Sequence, residues 1–259
     1  MKLLSASHLS ITIAGKSICH DLNLNITAGQ RWAVLGPNGS GKTTLLHTLA
    51  GLRPPQDGDI LLKGRKLDVW SPRERGKFIG CLLQHDDDPF PSTVLDTALI
   101  GRHPHLGRWQ WEGEDDRQLA LKALRTMDLK GFESRAIATL SGGERRRLAI
   151  ATLLTQEPRL FLLDEPINHL DLYHQVQVLM LFARLATDEG RALITALHDI
   201  TSAVRYCDHA LLLFGAGETL SGTVSEVITE DNLARLYGYP IRRLTGPDGE
   251  VWTPAYTAG

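Results

Sequence analysis

The segment Gly36-Pro37-Asn38-Gly39-Ser40-Gly41-Lys42-Thr43 constrains this chain more than any other, because it fits G-x-x-x-x-G-K-[ST] and lies between a strand pattern and a helix pattern. Its glycines let the main chain curl until the N–H groups converge on phosphate oxygens, and the start of the following helix adds partial positive charge. Lys42 then reaches the terminal phosphates, Thr43 offers a hydroxyl to Mg²⁺, and Thr44 opens the helix beside them. The flanks agree. Arg31-Trp32-Ala33-Val34-Leu35 is a short apolar run, and residues 44–50 have helical spacing. A nucleoside triphosphate is the implied ligand.

Composition removes several other classes. With 28 basic and 30 acidic residues the net charge is −2, so no global field favours nucleic acid or an anionic bilayer. Cys19, Cys81 and Cys207 lie far apart without C-x-x-C spacing, which gives neither a disulfide framework nor a zinc site and fits a reduced cytosolic compartment. The N-terminal residues carry no apolar core long enough for a signal peptide, and secretion is not expected. The longest apolar runs, at 160–163 and 210–214, are far shorter than the roughly 20 residues a membrane helix needs. They read instead as buried strands of a parallel sheet.

At 259 residues with 42% hydrophobic content the chain suits one domain with a subdomain, or two small ones. Residues 3–35 alternate apolar and polar positions, as half-buried antiparallel strands do, and a further strand is expected at 59–64. Phe78-Ile79-Gly80-Cys81-Leu82-Leu83 is a strand that leads into Gln84. Residues 93–157 carry helical spacing and no convincing strand, which reads as a helical insertion. Strand texture returns at 160–163, 191–197 and 210–214, alternating with helices near 173–187 and 200–207. One more helix, 229–237, precedes a tail containing glycine and proline.

Two further constellations carry chemistry. Leu160-Phe161-Leu162-Leu163 ends on Asp164 and Glu165, which places two carboxylates at the tip of a buried strand. There Asp164 can hold Mg²⁺ through water, and Glu165 can polarise the water that attacks the γ-phosphate. Upstream, Leu140-Ser141-Gly142-Gly143-Glu144 opens the helix 145–156, a second glycine-rich helix start suited to an anion. One chain has one triphosphate to offer, so two such starts imply a nucleotide sandwiched between two copies.

Together these motifs make the chain resemble the ATP-binding subunits of ABC transporters over nearly its whole length. The resemblance implies an α/β fold: a P-loop NTPase (RecA-like) core with an antiparallel β layer and a helical subdomain. It implies a single ABC ATPase domain over 1–259, in which 1–84 and 159–259 form the nucleotide-binding core and 85–158 the helical subdomain with the signature motif. By the same resemblance residues 36–43 are the Walker A loop, Gln84 the Q-loop glutamine that ligates Mg²⁺ and senses the γ-phosphate, and Ser141, Gly142 and Gly143 the signature closing over the opposite subunit's nucleotide. Residues 160–165 are then Walker B, Asp171 the D-loop aspartate that crosses the dimer interface, and His198 the switch histidine. ATP and Mg²⁺ are the implied cofactors.

Three positions depart from the family pattern: Asn168 replaces serine in the D-loop, Glu144 replaces glutamine after the signature, and Ile13 stands where an aromatic ring usually stacks on adenine. Neither of the first two threatens the binding geometry, whereas the third removes π-stacking and predicts looser base discrimination. Shorter matches at 98–111, at His174-Gln175-Val176 and at Tyr206-Cys207-Asp208 resemble importers of iron-siderophores, haem and cobalamin, with molybdate or zinc as competing cargoes. The implied partners are a second copy of the chain, integral membrane permease subunits and, indirectly, an extracytoplasmic substrate-binding protein, with no nucleic acid. The implied location is cytoplasmic and peripheral, on the inner face of the cell membrane. The cross-class alternatives are a soluble ABC-type ATPase acting on nucleic acid or ribosomes, which lacks support without a second module or coiled-coil insertion, and a non-catalytic module.

Other patterns favour ordinary readings. His103-Pro104-His105 lacks a third metal ligand at suitable spacing, and Asp86-Asp87-Asp88 reads as a solvated acidic loop that could instead face basic groups on a permease. Arg145-Arg146-Arg147 opens the signature helix, where basic residues are usual in the family. Trp109 and Trp111 alternate within a polar stretch and read as exposed interface anchors.

Overall fold

The computed structural model describes residues 2–83, 91–247 and 249–256. Gln84 and Asp86-Asp87-Asp88 lie outside the described residues.

The alternating N-terminal segments form long strands, β1 (Lys2–Ile13) and β2 (Lys16–Thr27), paired antiparallel. Leu4, Ala6, Leu9 and Ile11 of β1 and Ile18, Leu22, Leu24 and Ile26 of β2 are buried, so the period-2 pattern selects one inner face. The pairing is interrupted by register shifts, and His8 and Asp21 take left-handed backbone beside them.

Next come β3 (Arg31–Leu35), α1 (Lys42–Leu49), β4 (Asp57–Leu62), β5 (Arg65–Lys66), α2 (Pro72–Gly76) and β6 (Ile79–Leu82). The helices α3 (Val94–Leu99), α4 (Glu114–Thr126) and α5 (Gly142–Gln156) follow, then β7 (Leu160–Asp164), α6 (Leu172–Glu189), β8 (Ala192–Ala196), α7 (Ile200–Tyr206) and β9 (His209–Gly215). The chain continues through β10 (Glu218–Thr223), α8 (Val224–Val227), α9 (Glu230–Tyr237), β11 (Ile241–Gly246) and β12 (Gly249–Pro254).

One sheet has the order β2-β1-β4-β5 and is antiparallel. The other has the order β10-β9-β3-β8-β7-β6; only the β10 edge runs antiparallel. Every residue of β7 and β8 is buried, as expected of parallel strands covered on both faces. β3 belongs to this sheet, although it closes the stretch read as an alternating antiparallel layer. An apolar core between the two sheets joins Leu9, Ile11, Leu24, Val34, Leu45, Leu162 and Ile194. Helices α3 to α5 share a second core with β7 and α6, in which Leu124, Leu148, Phe161 and Phe182 are buried.

Two registers fix the site. Val34 lies beside Ala196, and Ala196 beside Asp164, so the carboxyl ends of β3, β8 and β7 reach one level. In parallel α/β sheets that edge is where ligands bind. Among the described residues no helix is long and apolar enough to cross a membrane.

The β10 edge strand, α8 and the β11–β12 hairpin were not anticipated from the sequence. The hairpin covers a third core, where Trp252 joins Ala203, Cys207, Leu233, Leu236 and Ile241.

Candidate functional site

The chain leaves β3 at Leu35 and turns through the glycine-rich loop into α1. Gly41 precedes that helix with φ 101°, and a Cβ there would come within 2.5 Å of the Ile18 side chain. Only glycine fits both the conformation and the space. No side chain caps α1, so its first N–H groups face the loop.

An open cleft of about 500 Å³ lies over this helix start, lined by Ile13, Lys16, Ile18, Asn38, Gly39, Gly41, Lys42, Thr43, Thr44, Glu165 and His198. Lys42 is buried, and its ammonium donates to Gly36 O at 2.8 Å and Pro37 O at 3.3 Å. Burial lowers its pKa, while the negative charges of Glu165 and Asp164 raise it in opposition. The Ser40 hydroxyl is buried in the loop and has no partner among the described residues.

Asp164 ends β7 fully buried, and neither carboxylate oxygen has a hydrogen-bond partner among the described residues. Glu165 follows with φ 50°, a left-handed conformation that costs a non-glycine residue about 1 kcal/mol or more. Its N–H donates to Ala196 O at 3.2 Å. Its carboxylate accepts a hydrogen bond from the Asn168 amide and shares another with His198 Nε2. His198 comes two residues after β8, so the histidine and the glutamate reach each other from adjacent strands.

Ser141, Gly142 and Asp171 are solvent-exposed, and none of them lines the cleft; Gly143 is half-buried and also lies outside its lining. Ser141 caps α5 in a reciprocal box, its N–H donating to Glu144 Oε2 at 2.7 Å and its hydroxyl accepting from the Glu144 N–H at 3.3 Å. The Ser141 N–H lowers the Glu144 carboxyl pKa. A Cβ on Gly143 would lie 3.1 Å from His169 O, so the signature loop and the loop before Asp171 are neighbours. Asp171 caps α6 by accepting from the His174 N–H at 2.9 Å.

Three contacts escaped the sequence reading. Lys16 donates to Gly39 O across the cleft floor, Asn168 holds Glu165 within the chain, and Arg146 binds main-chain carbonyls at the end of β7. The Lys16 and Arg146 contacts have no sequence-local signal, because their partners lie in different elements, whereas Asn168 and Glu165 are three residues apart in the loop between β7 and α6. His105 is bonded to Gln156 O at 2.9 Å and His103 lies 3.9 Å from Glu112. Trp109 and Trp111 are 88% and 87% exposed, as their polar surroundings suggested.

Residues 19–168 match the family model described as ABC transporter. The chain belongs to the ABC transporter family. Among its relatives, the ferric enterobactin transport ATP-binding protein FepC of Escherichia coli (strain K12) is 33% identical over 91% of this chain and 87% of its own length. The hemin import ATP-binding protein HmuV of Myxococcus xanthus (strain DK1622) is 38% identical over 87% of this chain and 86% of its own length. A solved ABC transporter of metal-chelate type, in an inward-facing conformation, is 30% identical with a TM-score of 0.86, covering 99% of this chain and 98% of that one. The ABC cassette fold, with its P-loop core, antiparallel layer and helical part, therefore matches the expectation from the motifs.

Proposed function

We propose that this chain hydrolyses ATP to power an ABC importer whose cargo is an iron-siderophore, haem or cobalamin. One observation carries the hydrolytic reading: Lys42, Thr43, Glu165 and His198 line one cleft at the helix start where phosphates are favoured. The relatives named for ferric enterobactin and hemin support the cargo class.

In this reading ATP lays its phosphates along residues 36–44, and Lys42 exchanges its loop carbonyls for the terminal phosphates. Glu165 orients and deprotonates the attacking water, held at the cleft by Asn168 and His198. His198 also contacts the γ-phosphate. The buried Asp164 oxygens, without a hydrogen-bond partner among the described residues, fit a divalent cation, which Asp164, Thr43 and Gln84 would hold. Bound there, Mg²⁺ supplies charge neutralisation to the phosphates.

Ser141, Gly142, Gly143 and Asp171 lie outside the lining of their own chain's cleft and serve the nucleotide of a second copy. The assembled pair drives permease subunits from the inner face of the membrane, and an extracytoplasmic binding protein delivers cargo to them.

Replacing Glu165→Gln is expected to lower turnover by about 10²–10⁴-fold while ATP affinity stays near the parental value. Steady-state hydrolysis and equilibrium nucleotide binding check this, and a parental rate would remove Glu165 from the mechanism. Cargo uptake by cells carrying Lys42→Ala, with permease co-purification, tests the importer assignment.

A further inference from the structure

Arg146 lies just over one turn into α5 and is 8% exposed, a position where a charged side chain is costly unless its donors are satisfied. Its guanidinium donates to four main-chain carbonyls, at 2.8 Å to Leu83 O, 2.6 Å to Asp164 O, 2.8 Å to Glu165 O and 3.2 Å to Pro166 O. These carbonyls come from two strand ends, the exit of β6 and the tip of β7. A planar fork of five donors can gather them at once; a lysine ammonium, with three donors at one point, cannot match that span.

The neighbouring arginines behave differently. Arg145 donates to Leu140 O and Ala138 O, and Arg147 to Met127 O and Asp128 O, so both brace the helical part itself. The contacts of Arg146 instead reach across to the main chain of Asp164 and Glu165.

What it holds is unusual backbone. Glu165 is left-handed at φ 50°, and its N–H is fixed by Ala196 O while its C=O is fixed by Arg146. Both faces of that residue's main chain are thereby tied, which decides where its carboxylate enters the cleft. Asp164, immediately before it, is tied through its carbonyl to the same guanidinium.

We propose that Arg146 is a positioning residue for ATP hydrolysis, clamping the Asp164-Glu165-Pro166 main chain so that the Glu165 carboxylate stands at the cleft. This rests on the reading of Glu165 as the residue that activates water. Because α5 begins at the signature residues 141–143, the same side chain joins the element that faces a second copy's nucleotide to the carboxylates serving the chain's own.

The test compares Arg146→Gln, Arg146→Lys, Glu165→Gln and Arg146→Gln combined with Glu165→Gln in the full chain, with thermal melts confirming folding. Arg146→Gln is expected to lower kcat about 10- to 100-fold with KM for ATP within about twofold, since a small misplacement of a reacting group has that scale of effect. Arg146→Lys is expected to recover part of the loss. In the Glu165→Gln background, single-turnover rates are expected to show no further loss from Arg146→Gln.

Parental kcat in both Arg146 variants overturns the proposal, as does a raised KM with unchanged kcat or an equal fold-loss in both backgrounds. Should Arg146→Gln not fold, Arg146→Lys carries the same comparison. A parental rate for Glu165→Gln alone is a separate result, because it removes the reading of Glu165 and the proposal with it.

Discussion

Glu165 meets the cleft from a left-handed backbone whose N–H is held by Ala196 and whose C=O is held by Arg146. Its place after an apolar strand announced a carboxylate at a sheet edge, because strand and motif are contiguous. Its ties to His198 and Arg146 join separate elements, and nothing local signals them; the tie to Asn168 lies within the same loop. The cysteines yield a prediction at the same scale. Burial raises the thiol of Cys19 to about 11 and those of Cys81 and Cys207 to about 12, so all three stay protonated at neutral pH. Maleimide at pH 7.5 is expected to label Cys19 and Cys207 hardly at all in the native protein and fully once it is unfolded; rapid native labelling of those two thiols would contradict their burial. The sign of the linkage follows. These neutral thiols support folding fully below about pH 8.5, where unfolded thiols ionise, and that contribution declines as pH rises toward the folded values.

Among the elements, the parallel strands were the most legible, since runs such as Leu160-Phe161-Leu162-Leu163 are buried on both faces and carry no polar interruption. The β11–β12 hairpin was the least legible, because β11 buries only Ile241 of its six residues and leaves arginines in solvent. Its attachment comes from Trp252, whose ring enters the third core and whose main-chain N–H donates to Thr201 Oγ1 at 3.1 Å. Trp252→Ala is expected to destabilise the protein by about 3 kcal/mol, the lower end for a buried large-to-small change. Urea unfolding measures it. A change below about 0.5 kcal/mol, the scale of ordinary surface substitutions, would mean the hairpin docks by other contacts. α5 was legible except at its start, which lies at Gly142 and not at Arg145 because Ser141 caps it.

At the scale of the molecule, two features stand exposed. Trp109 and Trp111 stand out from the helical part at 88% and 87% exposure. With the permease as their partner, Trp109→Ala combined with Trp111→Ala is expected to weaken permease co-purification at least tenfold, the loss of about 1.4 kcal/mol, while ATP hydrolysis by the isolated chain is unchanged. Equal recovery of permease from parental and variant chains would place those rings elsewhere. The second feature is the loop at residues 141–143, which lies outside the lining of its own cleft, so the proposed composite site needs two copies. Light scattering on the Glu165→Gln chain tests that requirement most directly, because slowed hydrolysis preserves the ATP-bound state. With saturating ATP and Mg²⁺ the mass is predicted to rise from 28.6 kDa to about twice that value, and Gly142→Arg is predicted to prevent the rise while ATP still binds. A Glu165→Gln chain that binds ATP yet stays at 28.6 kDa would contradict the composite site.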